Sequence, residues 1–121
     1  MWHCISGLES IVYLDQYQKM ALQTANIEEL QIPPIVYCAM GLAGESGEVC
    51  EKIKKLYRDK QGQIDFKDKE ALSKELGDVL WYVATLAHYA GLSLHNIADL
   101  NLAKLASRKL RNKIQGEGDN R

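Results

Sequence analysis

The sequence has no alternating apolar and polar run that reads as a strand, no internal repeat and no low-complexity linker. That removes the β-containing classes and leaves an all-α domain. Cysteine is scarce: Cys4, Cys38 and Cys50 are an odd number without C-x-x-C spacing. This argues against a disulfide frame or a cysteine zinc site and fits reduced thiols in the cytoplasm. There is no surplus of one charge either. A net charge of -1 excludes a broad nucleic-acid footprint or a polybasic membrane surface. The most apolar run, Val79 to Ala87, is far too short to span a bilayer, and the first residues lack the charged-then-apolar order of a signal peptide. No histidine follows a glutamate at the third position, so a di-iron carboxylate bundle is disfavoured.

What remains is an ordinary soluble composition, 46% hydrophobic and 26% charged over 121 residues. It is read as one domain, 1–121, with an aperiodic leader at 1–8 and a tail at 112–121 without periodicity, both expected to be flexible. Four helices account for the rest. Helix one starts at Glu9, carries Ile11, Leu14, Tyr17, Met20, Ala21 and Ala25 at spacings of three and four, and fades near Asn26. Ile32-Pro33-Pro34 marks a loop, with Pro34 suited to be the first residue of helix two. Helix two runs to Arg58 with Leu42, Val49, Ile53 and Leu56 as its seam. Gly41, Gly44 and Gly47 interrupt it; each costs about 1 kcal/mol against alanine, so close approach of a backbone or ligand is the favoured reason. Asp65 or Asp68 caps helix three, Lys67 to Ala90, which is nearly apolar all round after Asp78 and therefore central. Gly91 ends it in the left-handed conformation, and Ser93 caps helix four, with Ile97, Leu100, Ala103 and Leu105 facing inward. The expected architecture is an antiparallel helical bundle.

Chemistry concentrates at two places, Glu45-x-x-Glu48 on helix two and Glu75-x-x-Asp78 on helix three. Residues three apart share a helix face, so each pair aims two acids at one spot and costs about a few tenths of a kcal/mol in repulsion unless a cation intervenes. If the two helices pack together, four carboxylates converge, an all-oxygen set that suits Mg²⁺ or Mn²⁺. The plainer alternative pairs Glu48 with Lys52 and Glu51 with Lys55 as solvated ion pairs one turn apart.

The two acid pairs, together with YQKMALQTA at 17–25, GLAGESGEV at 41–49, KELGDVLWYVA at 74–84, NLAKLASRK at 101–109 and the closing GEGDNR, resemble the MazG-like all-α nucleoside triphosphate pyrophosphohydrolases. One departure is Gly44, where an acid often precedes the first glutamate of the motif. The resemblance implies Mg²⁺-dependent cleavage of a nucleoside triphosphate, a dNTP above all, to monophosphate and pyrophosphate, as nucleotide-pool housekeeping in a homodimer or dimer of dimers. Glu45, Glu48, Glu75 and Asp78 are then the metal ligands and catalytic groups, with Mn²⁺ as a substitute ion. It further implies phosphate contacts from Asn101, Lys104 and Arg108, which fall on one stripe of helix four, and from Lys52 and Lys55. Tyr82 is a candidate to stack on sugar or base, and Gln18 a candidate for base recognition. A non-catalytic nucleotide-binding regulator and a phosphoribosyl-ATP pyrophosphohydrolase are the alternatives.

Overall fold

The computed structural model describes residues 12–121. Every regular element among them is helical: α1 (Leu14–Leu22), a 3-10 turn (Ile27–Glu29), α2 (Pro34–Lys60), α3 (Phe66–Tyr89) and α4 (Leu94–Leu110). The expected helices two, three and four are present within two residues of their predicted ends. Helix one is shorter than its pattern. Its last amides, on Gln23, Thr24 and Ala25, bond to carbonyls three residues back, and the Thr24 hydroxyl takes the Ala21 carbonyl at 2.7 Å. Such local bonds compete with the helix and end it before Asn26. Glu9 and Ile11, like Trp2, His3 and Cys4, lie outside the described residues.

The helix ends follow from side chains the sequence displays. Pro34 opens α2. Asp65 caps α3 by accepting from the Asp68 amide at 2.9 Å, while Asp68 accepts from the Asp65 amide at 3.0 Å, a reciprocal capping box. Lys60 bridges both acids, at 3.0 and 2.7 Å, and so closes the turn between α2 and α3. Gly91 has φ +75, and the Leu92 and Gly91 amides return to Ala87 and His88, the Schellman arrangement that a residue without Cβ enters at no steric cost. Ser93 then caps α4 by accepting from the Asn96 amide.

α2 and α3 form an antiparallel pair along most of their length. Lys60 meets Asp68, Lys52 meets Glu75 and Gly41 meets Tyr82, in opposing order along the two chains. α1 packs on the far half of α3 with α4 beside it, so α3 is central, touching all three other helices. The small core there is Ala21, Ala84 and Leu94, with Tyr17, Trp81 and Val83 against it. Trp81 donates its Nε1 hydrogen to Thr24 at 2.9 Å.

Gln18, a candidate base reader by resemblance, lies inside this junction. It is 8% exposed, and its amide nitrogen donates to the Ala84 and Leu92 carbonyls at 3.1 and 3.0 Å while its oxygen accepts from the Leu94 amide at 3.1 Å. One side chain thus fastens α1 to the end of α3 and the start of α4. Asp15 adds to the same joint, accepting from the Ser93 hydroxyl and the His95 amide.

α4 departs from its expected orientation. Leu100 and Leu105, read as inward, are 72% and 41% exposed, and Arg108, read as part of a polar outer stripe, is 5% exposed. Arg108 is buried by the tail. Residues 112–121 carry no regular element but fold back on α4: Arg108 donates to the Asp119 carbonyl at 2.7 Å, Lys104 pairs with the Asp119 carboxylate at 3.1 Å, and Arg111 donates to the Arg121 carbonyl at 2.9 Å. The charged stripe is covered from within, and the leucines are left bare.

Two outcomes are expected. Gln18→Ala removes two buried hydrogen bonds and one part-buried one and strands two backbone groups near α4, which should cost about 2–3 kcal/mol in urea unfolding. Asp65, held down to about 2 by the Asp68 amide and by Lys60, contributes stability that is complete above its unfolded value near 4 and is lost as pH falls toward about 2. Thermal melts of Asp65→Ala should therefore lie below wild type at neutral pH and converge with it in acid.

Candidate metal centre

Glu45 lies on α2 and Glu75 and Asp78 on α3, where the two helices face each other. One carboxylate oxygen from each falls within 4.8 Å of the others. The i, i+3 spacing puts Glu75 and Asp78 on one side of α3, and the antiparallel pairing brings Glu45 opposite. Glu45 and Glu75 are half-buried, and Asp78 is exposed. Burial and then the charges of Asp78, Glu75 and Glu48 hold Glu45 above the usual carboxylate range. The group is short of positive charge. Among the described residues its one cationic neighbour in contact is Lys52, 3.6 Å from Glu75. Crowded carboxylates with so little compensation fit a hard cation, and the all-oxygen donor set matches Mg²⁺ or Mn²⁺.

The other predicted site residues divide. Glu48 is exposed and outside the group of three, although its charge reaches Glu45. Lys52 comes to the centre. Lys55 does not: it pairs with Glu51 at 3.7 Å, and Lys54 pairs with Glu51 at 2.7 Å, the solvated arrangement proposed for Glu51. Lys104 and Arg108 are bound to Asp119 of the tail, and Asn101 is exposed on α4, which makes no contact with α2. His88 and His95 are exposed and take no part.

Tyr82 lies across α2. A Cβ on Gly41 would collide with its ring, so the close approach expected of the glycines holds at Gly41. At Gly44 and Gly47 a Cβ would meet nothing, and the chain itself does not explain them. Burial, then hydrogen bonding with Tyr37, pushes the Tyr82 phenol up to about 12, and the two rings lie 6.3 Å apart. Tyr17 of α1 also borders the centre: burial and the Asp78 charge raise its phenol. Sequence reasoning missed Tyr37 because one aromatic a turn inside a helix start carries no signal of its own. Its spacing of four to Gly41 and eight to Glu45 is the available clue.

An all-α fold whose two longest helices focus acids on one spot defines a class, the helical proteins with a carboxylate cluster between two helices. The match to the MazG nucleotide pyrophosphohydrolase domain spans residues 37–111, which takes in α2, α3 and α4, and the chain belongs to that family. It is also 45% identical, over 114 residues, to the Gene 37 protein of Mycobacterium phage L5, covering 91% of this chain and 100% of the relative. No solved structure matches it. Among the described residues no helix is long and apolar enough to cross a membrane.

Proposed function

We propose that the protein hydrolyses a nucleoside triphosphate, a deoxynucleotide by preference, between the α- and β-phosphates, releasing monophosphate and pyrophosphate in the cytoplasmic nucleotide pool. The observation that carries this reading is the convergence of Glu45, Glu75 and Asp78 within 4.8 Å in a chain of a pyrophosphohydrolase family. When bound, Mg²⁺, with Mn²⁺ as a substitute, supplies neutralisation of the triphosphate charge and acidification of the attacking water. Glu45, Glu75 and Asp78 would hold the ion from two helices, and Glu48 would complete the set from one turn further along α2. A carboxylate of this set takes the proton released by water. Lys52, 3.6 Å from Glu75, would offer its amine to the substrate's phosphates beside the ion.

The reading includes self-association. Met40 of α2, Leu76 and Leu80 of α3 and Leu100, Leu102 and Leu105 of α4 are all exposed in the single chain. Apolar surface of that extent supports a homodimer or dimer of dimers that shares the faces of α2 and α3. Gly44 and Gly47, open in the single chain, would then allow close approach of the neighbouring subunit, and Asn101, exposed on α4, would reach phosphate from the assembled interface, whereas Lys104 and Arg108 are held by Asp119.

Pyrophosphate release from a panel of NTPs, dNTPs and phosphoribosyl-ATP is the test. Release with Mg²⁺ and none with EDTA is expected, with turnover lost in Asp78→Ala while its circular dichroism and melting stay close to wild type. A fully active Asp78→Ala protein, or release indifferent to EDTA, would refute the assignment.

A further inference from the structure

Beyond Glu75, toward the turn that joins α2 to α3, the two helices border an open groove of about 290 Å³ lined by Lys52, Lys67, Glu70, Ala71, Lys74 and Glu75. Glu75 belongs both to this groove and to the carboxylate group, so groove and centre are continuous. Three amines face two carboxylates there. Neither Lys67 nor Lys74 has an ion-pair partner within 4.0 Å among the described residues.

The groove gives the α2–α3 seam a direction. On α3, Lys67, Ala71, Lys74, Asp78 and Tyr82 recur at three or four residues and therefore share a face. On α2, running the other way, Lys52, Glu45 and Gly41 oppose them. From the turn outward the seam presents amines, then carboxylates, then the Tyr82 ring over Gly41 with the Tyr37 ring 6.3 Å from it.

We propose that this groove is the subsite for the pyrophosphate end of the substrate, so that the nucleotide lies along the seam with its β- and γ-phosphates toward Lys52, Lys67 and Lys74 and its nucleoside toward Tyr37 and Tyr82. The inference rests on the pyrophosphohydrolase reading above. In that reaction the water oxygen bonds to the α-phosphorus, the bond from that phosphorus to the bridging oxygen breaks, and the electron pair leaves on the bridging oxygen with pyrophosphate. Negative charge grows on the leaving side. Amines next to that side stabilise it more in the transition state than in the bound substrate, and ammonium groups bind phosphate as point charges without a demanding geometry. Amines beside the nucleoside would do neither. Apolar ring faces suit a base or sugar, which the lysine end does not offer.

Isothermal titration of the full chain loaded with Mn²⁺ tests this, with inorganic pyrophosphate and a panel of deoxynucleoside monophosphates as separate probes. Both lysines are exposed on α3 and alanine favours helix, so the double variant Lys67→Ala, Lys74→Ala keeps the fold. In it the Kd for pyrophosphate should rise by about tenfold or more while monophosphate and Mn²⁺ affinities stay within about twofold. Tyr82→Leu should weaken the monophosphates and leave pyrophosphate in place. Pyrophosphate binding that is absent in wild type, unaffected by the lysine changes, or weakened together with monophosphate would overturn the subsite. A protein that cleaves no triphosphate yet binds pyrophosphate through these lysines would instead overturn the hydrolase reading and leave the groove standing.

Discussion

Three carboxylates that repel one another are held within 4.8 Å by two antiparallel helices, and the rest of the structure serves that constraint. Like charges at this range raise the free energy of a bare fold, and burial of Glu45 adds to it. The arrangement persists because α2 and α3 are fixed at both ends. At one end Lys60 grips the Asp65–Asp68 capping box, and at the other the Tyr82 ring closes over Gly41. Gln18 and Asp15 then tie α1 to the α3–α4 corner, holding the central helix from its other side.

This reading also accounts for where stability is thin. Among the described residues few apolar side chains are buried, and the largest fully covered side chains are the polar Thr85 and the small Cys38. The core is built of small residues such as Ala21, Ala84 and Ala87, while many leucines stay open. A helix pair that must present acids and lysines along its seam has less of its surface available for apolar packing. Hydrogen bonds of single side chains, above all those of Gln18, therefore carry an unusual share of the tertiary fastening.

Much of this was legible in the sequence where the physics is local. Pro34, Gly91, Ser93 and the Asp65–Asp68 pair announce helix ends through backbone chemistry, and the ends fall at or near them. Glu75 and Asp78 were legible as a pair because a spacing of three has one meaning on a helix, and Glu45 joins them across the seam while Glu48 stays outside the group. The outward turn of Leu100 and Leu105, the burial of Arg108 and the internal role of Gln18 were not, because each depends on which distant segment packs there. A polar stripe covered by a returning tail and a polar stripe covered by water share one pattern. The same limit hid Lys67 and Lys74, whose grouping with Lys52 across the seam exists only once α2 and α3 pair.

The central claim is that the carboxylates form a cation site, and anomalous diffraction from crystals grown with Mn²⁺ tests it most directly. The account predicts an anomalous peak between α2 and α3, with oxygens of Glu45, Glu75 and Asp78 around it and Lys52 turned away from Glu75. Mn²⁺ bound only elsewhere, with Lys52 still paired to Glu75 and the three acids unchanged, would contradict it.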